Sequence, residues 1–374
     1  MITGFYIILG IYSFVILALV RGFNRLKTPI NFTEKPRTSF SVVIPFKDEA
    51  AHLSELLSSL SQLNYPTDLF EIILINDASS DHSVAIIETF KSNAPLNINL
   101  LHSDSKSLSP KKEALTKAIH FATNQWIITT DADCTFHSNW LKTYDGFIQK
   151  NKFQFIAGPV AYKSSNKFLD AFQLLDFSSL IGVTIGSFGL NKPLMCNGAN
   201  LAYKKSLFDT LDGFKGHDTI ASGDDVFFLE KVVKYNKTLV SYLKHEQAIV
   251  LTKAVTSLKL LLSQRLRWAS KTGQSSLIET KLLGFLVLIT NAVFIFALLN
   301  LVISTFSLIQ SLILITLKLG VDAILLYKTL SFFKQNKMMS HYGATAFLYP
   351  FFTVYIAILS LFGGYKWKNR AYKR

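Results

Sequence analysis

Trp126-Ile127-Ile128-Thr129-Thr130-Asp131-Ala132-Asp133 is the stretch on which the fold turns. Large and β-branched residues run together long enough for a buried strand, and the run ends in two carboxylates separated by one residue. Working outward, similar bursts occur at Phe40 to Pro45, Ile72 to Ile75, Ile98 to Leu101 and Phe155 to Pro159. Helical periodicity lies between them, clearest over Leu53 to Leu63 and Ser83 to Phe90, while Pro95, Pro110 and Pro193 mark loops. Strands alternating with crossover helices predict an α/β fold with a mainly parallel, Rossmann-like sheet, expected over 38–250.

Such sheets bind ligands where their strands end. Asp77 follows Ile72-Ile73-Leu74-Ile75-Asn76, so it emerges at such a rim as Asp131 does; Ser79-Ser80-Asp81 make an Asx turn or helix cap an equal reading for it. Asp131 and Asp133 offer hard oxygen ligands one residue apart, suited to Mg or Mn together with the diphosphate it would neutralise. Asp224-Asp225 stands between Ala221-Ser222-Gly223 and the apolar Val226-Phe227-Phe228-Leu229. At such a loop-to-helix junction one carboxylate can cap the helix while its neighbour accepts a proton. Gln264-Arg265-Leu266-Arg267-Trp268 supplies guanidinium groups for phosphate oxygens and an indole for stacking. A helix lying on lipid headgroups would use the same residues.

The apolar residues collect toward the two ends of the sequence. Phe5 to Val20 is uncharged and followed by Arg21, Arg25 and Lys27, which reads as an anchor over 1–22 with its basic flank inside. The domain that follows is then cytoplasmic and the protein integral to the plasma (inner) membrane. Residues 251–275 hold an amphipathic helix, with Leu258, Leu261, Leu262 and Leu266 on one side. Leu282 to Ile303, Phe306 to Tyr327 and Ala344 to Gly363 give a C-terminal membrane region over 281–364, in two to three segments. Lys366, Lys368, Arg370, Lys373 and Arg374 form a basic tail over 365–374, expected inside. Three full crossings would place that tail outside, so one segment is expected to be re-entrant or interfacial. Lys318 and Asp322, four apart on one helix face, read as a mutually neutralised pair within the membrane region, with a role in acceptor passage as the alternative.

Cytoplasmic basic loops account for the net charge of +14, and the soluble region lacks the basic stripe interleaved with aromatics that nucleic acid requires, so no nucleic-acid partner is expected. The two cysteines, Cys134 and Cys196, have no ligand spacing and read as small apolar residues.

Taken together, the stations resemble those of membrane-bound family 2 inverting glycosyltransferases with the GT-A fold, over roughly Ser39 to Gly273, with their D, D-x-D, D, Q-x-x-R-W pattern. Ser41-Val42-Val43-Ile44-Pro45 matches the opening strand, and Ile75-Asn76-Asp77-Ala78-Ser79 matches the D-D-G-S turn, departing at Asn76 and Ala78. Lys111-Lys112-Glu113-Ala114-Leu115 is similar to G-K-x-x-A-L, with Pro110 in place of glycine. The resemblance implies that Asp77 contacts the nucleobase, Lys111 the diphosphate, Asp131 the ribose and, with Asp133, a divalent cation (Mg or Mn). It makes Asp225 the catalytic base, with Asp224 beside it as competitor, and gives Gln264, Arg267 and Trp268 the donor diphosphate and the acceptor end. Asn197-Gly198-Ala199-Asn200 falls where the family shapes its acceptor pocket; the amides of Asn197 and Asn200 suit sugar hydroxyls, and an ordinary polar turn is the equal alternative.

The function implied is transfer, with inversion, from a nucleotide diphosphate sugar, first of all a UDP-sugar, to a lipid-linked or glycan acceptor held at membrane lipid. Gly223-Asp224-Asp225 stands where cellulose-synthase-like members have Thr-Glu-Asp, a departure that puts processive synthesis in doubt. A processive polysaccharide synthase and a catalytically silent membrane scaffold that only binds sugar nucleotide are the alternatives.

Overall fold

The computed structural model describes residues 2–372 except 30, 31, 33, 104–107, 166, 217–219, 221, 363, 364, 368 and 369. Ala221 before the acidic pair, Gly363, and Lys368, Lys373 and Arg374 of the basic tail therefore lie outside the described residues.

In chain order, α1 (Ile2–Arg25) precedes β1 (Phe40–Phe46), α2 (Ala50–Ser61), β2 (Phe70–Asn76), α3 (Ser83–Asn93), β3 (Ile98–His102), α4 (Pro110–Phe121) and β4 (Trp126–Thr129). Next come β5 (Thr135–Phe136), α5 (Trp140–Lys150), β6 (Phe155–Ala157), β7 (Val160–Tyr162), α6 (Phe168–Gly189), β8 (Leu201–Lys204) and α7 (Lys205–Thr210). They are followed by α8 (Asp224–Asn236), β9 (Val240–Tyr242), β10 (Val250–Thr252), α9 (Leu258–Gln274) and α10 (Ile278–Ile303). The last elements are α11 (Leu308–Phe332), α12 (Tyr342–Phe362), β11 (Tyr365–Trp367) and β12 (Arg370–Tyr372). They group into a sheet unit, 27–162 with 195–253, and a helical unit, 1–26 with 163–194 and 254–374.

The sheet unit has seven strands in the order β3-β2-β1-β4-β8-β6-β9. β1 runs parallel to both β2 and β4, and β2 parallel to β3, while β8 alone is antiparallel to its neighbours β4 and β6. Every residue of β1, β2 and β4 is buried, so these strands read as continuous apolar runs instead of alternating ones. Burial of Ile72, Ile73, Leu74 and Ile75, all fully inaccessible, contributes roughly 1.5–3 kcal/mol each. The charge on β2, Glu71, is met at the opposite end of the sheet from Asp77: its carboxylate accepts from Ser41 Oγ and Thr123 N, both at 2.7 Å.

One expected strand ends early. Of Phe155 to Pro159 only Phe155–Ala157 forms β6 in the large sheet, and β7, which begins at Val160, belongs to a second sheet of order β5-β10-β7. Pro159 has no N–H for a ladder, and Gly158 before it packs so closely that a Cβ would lie 2.2 Å from Tyr144 Oη.

The helical unit contains a helix absent from the expectations above. The segment 163–194, inside the stretch expected to form one α/β domain, groups with the terminal helices through α6. Glycine draws α6 against α1: a Cβ on Gly186 would lie 2.5 Å from Leu19 O, and one on Gly22 2.1 Å from Gly186 O. Among the described residues five helices, α1, α6, α10, α11 and α12 (this last with its preceding turn), are long and apolar enough to cross a membrane. The apolar window of α6 is 67% buried within the protein, against 22% to 33% for the other four. After α6 the chain re-enters the same sheet at β8, which hydrogen-bonds with β4 and β6.

Candidate active site

Parallel register sends the chain out of β1, β2 and β4 along one edge. Asp77 follows the Phe46↔Asn76 pair; its N–H donates to Phe46 O at 2.8 Å, and its carbonyl accepts from Lys47 Nζ at 3.2 Å. The residue is buried, at 6% exposure. Asn76 Oδ1 accepts from Ser79 N at 2.8 Å, and Ala78 between them has φ +53. That left-handed conformation is what the glycine of the D-D-G-S turn supplies without steric cost.

Asp131 leaves β4 at the same edge and meets Lys111, whose Nζ lies 2.9 Å from Asp131 Oδ1 and 3.6 Å from Asp224 Oδ2. Pro110, at the first position of α4, has φ preset for the helix and lacks an N–H that would have no intrahelical partner there, so the helix starts cleanly and places Lys111 in its first turn. Burial works against the Lys111 ammonium, but the charges of Asp131, Asp224 and Asp225 outweigh it and push its pKa above the ordinary lysine range.

Asp133 turns another way. Its Oδ2 accepts from Thr252 Oγ1 at 3.0 Å, a residue of β10 that no local pattern singles out. Burial, then the charge of Asp131, raise the Asp133 pKa. Among the described residues no three His, Cys, Asp or Glu side chains gather to hold a metal unaided. The Asp131 and Asp133 carboxylates are hard oxygen donors, the kind that a Mg or Mn ion takes, and the rest of such an ion's ligands would have to come from phosphate and water.

Asp224 and Asp225 open α8. Gly223, with φ +85, fills the cap position with no side-chain cap, and a Cβ there would lie 2.6 Å from the Phe227 ring. Neither aspartate is the helix cap; both lie in its first turn, where the macrodipole favours negative charge. Asp225 Oδ2 accepts from Gly198 N at 3.1 Å, and Gly198 O in turn accepts from Thr129 Oγ1 at 2.7 Å, so the turn carrying Gly198 ties Asp225 to β4. The approach to α8 is pinned by Lys112, buried on α4, whose Nζ donates to Ile220 O at 2.8 Å beside a second bond from Ser109 Oγ. Sequence reasoning passed over Thr129, Thr252 and Lys112; only Thr129, a hydroxyl inside an apolar strand, carried a local signal.

Asn200 corrects an expectation. It was read as a contact for sugar hydroxyls, yet it is fully buried. Its Oδ1 accepts from Trp140 Nε1 at 3.1 Å and Tyr144 Oη at 2.8 Å, and its Nδ2 donates to Pro159 O and Ala248 O, each at 2.8 Å. All four amide valences are used within the protein, so Asn200 is a structural knot. Asn197 Oδ1 accepts from Ala199 N at 3.0 Å, the geometry of a local turn.

Gln264, Arg267 and Trp268 lie on α9, in the helical unit. Gln264 is buried, and its Oε1 accepts from Arg265 Nη1 at 2.5 Å.

Residues 41–212, which carry Asp77, Lys111, Asp131, Asp133 and the Gly198 turn, match the model of glycosyl transferase family 2. This stretch is a family 2 glycosyltransferase domain. The chain is 26% identical over 113 residues to the poly(ribitol-phosphate) beta-N-acetylglucosaminyltransferase TarS of Staphylococcus aureus, covering 30% of this chain and 19% of that protein. It is 26% identical over 269 residues to the poly-beta-1,6-N-acetyl-D-glucosamine synthase of Staphylococcus epidermidis, covering 71% and 61% respectively. The chain thus spans less than two thirds of either relative. A mannosyltransferase from Pyrobaculum calidifontis, solved with GDP-mannose and Mn2+, superposes with a TM-score of 0.59 at 18% identity, covering 93% of this chain and 98% of that one. The family 2 domain has the GT-A fold.

Proposed function

We propose that the protein is a membrane-held inverting glycosyltransferase that takes its sugar from a nucleotide diphosphate sugar and passes it to a lipid-linked or glycan acceptor. The observation that carries this reading is Lys111 bridging Asp131 and Asp224, with Asp225 on the next residue of α8. One-step displacement needs charge neutralised at the leaving diphosphate and a proton removed from the attacking hydroxyl. Lys111 and the Asp131–Asp133 pair suit the first task, and Asp225, steadied by Gly198 N, suits the second. A divalent cation held by Asp131 and Asp133 would supply charge neutralisation at the diphosphate. Asp77 would meet the nucleobase, Gln264, Arg267 and Trp268 the donor diphosphate and the acceptor end.

The names of both relatives contain N-acetylglucosamine, which makes UDP-N-acetylglucosamine the first donor to assay, with GDP-mannose second after the structural neighbour. The apolar helices support retention in a membrane, and the basic flank of α1 supports a cytoplasmic domain at the inner membrane. The name of the synthase favours a polymer as second reading. Product length from the purified protein separates the two: one added sugar supports the first, a long ladder the second.

Asp225→Asn tests the assignment of the base. In membranes supplied with a donor that the wild type uses, transfer should fall about 10²-fold or more. Near wild-type transfer by this variant would sink the role given to Asp225.

A further inference from the structure

Within the helical unit, α9 is fastened to α6 by groups outside the Q-x-x-R-W set. Gln173, fully buried on α6, donates from Nε2 to Val255 O at 2.9 Å and accepts at Oε1 from Val255 N at 3.1 Å, closing a paired amide contact just ahead of α9. One turn on, Asp176 Oδ2 accepts from Arg265 Nε at 2.6 Å, both side chains being 6% exposed. The Arg265 guanidinium then reaches both ways along α9: Nη1 donates to Gln264 Oε1, and Cζ lies over the indole of Trp268, 4.1 Å from the ring centroid. Phe177, next to Asp176, closes on the same indole at 5.9 Å between ring centroids.

Arg265 occupies a position that the motif leaves open, yet it touches two of the motif's members. A buried ion pair is a costly way to pack two helices, since apolar residues of similar volume hold as well. What the pair adds is direction. Nε bonded to Asp176 fixes the guanidinium plane, and that plane fixes the Gln264 amide and the Trp268 ring.

We propose that Asp176 and Arg265 are positioning residues, which set the orientation in which α9 presents Gln264 and Trp268 to substrate. The inference rests on the reading above that those motif residues meet the donor or acceptor.

The test uses the full chain in detergent, with its four tryptophans labelled as 5-fluorotryptophan and the Trp268 resonance assigned by Trp268→Phe. Asp176→Leu with Arg265→Met removes both charges at once and so leaves neither buried alone. In this double variant the Trp268 fluorine resonance should shift or broaden while those of Trp126 and Trp140 and the melting temperature stay put. The kcat with UDP-N-acetylglucosamine or GDP-mannose should fall about tenfold or more with the donor KM changed much less, because misplacement is felt in the transition state. An unmoved resonance, or a moved one with wild-type kcat and KM, overturns the proposal. Arg265→Lys guards against a double variant that fails to fold: it keeps the charge for Asp176 and loses the flat plane, and it should move the same resonance and lower kcat in the same direction. If the wild type transfers from neither donor, the reading of the site is what fails, and the resonance still decides whether the pair sets Trp268.

Discussion

Ala78 shows how a departure from a motif becomes a measurable strain. Its φ of +53 places a Cβ where glycine would have none, and the left-handed region costs an L-residue about 1–2 kcal/mol. Ala78→Gly should stabilise the protein by about 0.5–1 kcal/mol after the extra backbone entropy of glycine is counted, read as a rise in melting temperature without loss of transfer. Asn200 gives the opposite case. Asn200→Ala strands the Trp140 and Tyr144 donors and two carbonyls in the core, so stability should fall by about 3–5 kcal/mol in a thermal or denaturant titration, while the fraction that stays folded keeps its donor KM. A change in KM alone, with stability intact, would restore Asn200 to the substrate. The positions of the acidic residues were legible because Asp77 and Asp131 follow apolar runs and Asp224-Asp225 precedes one. Asn200 was not legible. A short polar turn looks the same whether its amide faces solvent or core, and the partners that decide the matter, Trp140, Tyr144, Pro159 and Ala248, lie as many as 60 positions away.

At the scale of elements, the strands were readable from continuous apolar runs, whereas α6 was not. Its sequence carries Asp170, Gln173 and Asp176 in the first half, and its apolar residues go all round, so neither a membrane run nor an amphipathic stripe stands out. Contact alone shows what those polar residues do, for Gln173 and Asp176 bond to Val255 and Arg265. The glycines are the other half of the explanation. Gly182 and Gly186 have small-xxx-small spacing, and Gly189 follows, where a Cβ would lie 1.9 Å from Gly22 O. Gly186→Leu should therefore force α1 away from α6, since its Cβ would start 2.5 Å from Leu19 O and neither backbone can yield locally. A cysteine pair across this crossing that forms a disulfide in the parent background should fail to form with Gly186→Leu; undiminished cross-linking would show that the helices do not approach as closely as the glycines allow.

For the whole molecule the open quantity is how the helices thread a bilayer, and the charges between them give an answer. α10 and α11 are joined by Ser304 to Ser307, which carries no charge, and the turn is organised by Asn300: Nδ2 donates to Phe306 O at 2.9 Å and Ser311 Oγ at 2.8 Å, and Oδ1 accepts from Phe306 N at 3.1 Å. A turn held by one amide and closed by a capping box at Ser307 suits a helical hairpin in lipid. The connection from α11 to α12 is instead basic, with Lys328, Lys334 and Lys337 in and beside it. Positive charge stays on the cytoplasmic side, so α10 and α11 should form a hairpin whose tip emerges on the far side and whose base returns to the side of the family 2 domain. The prediction is read by labelling. In a background with Cys134 and Cys196 replaced by serine, Ser307→Cys should react with a membrane-impermeant maleimide in intact cells. Lys334→Cys should react only after the membrane is opened. Equal reactivity of both positions from outside would rule out the hairpin.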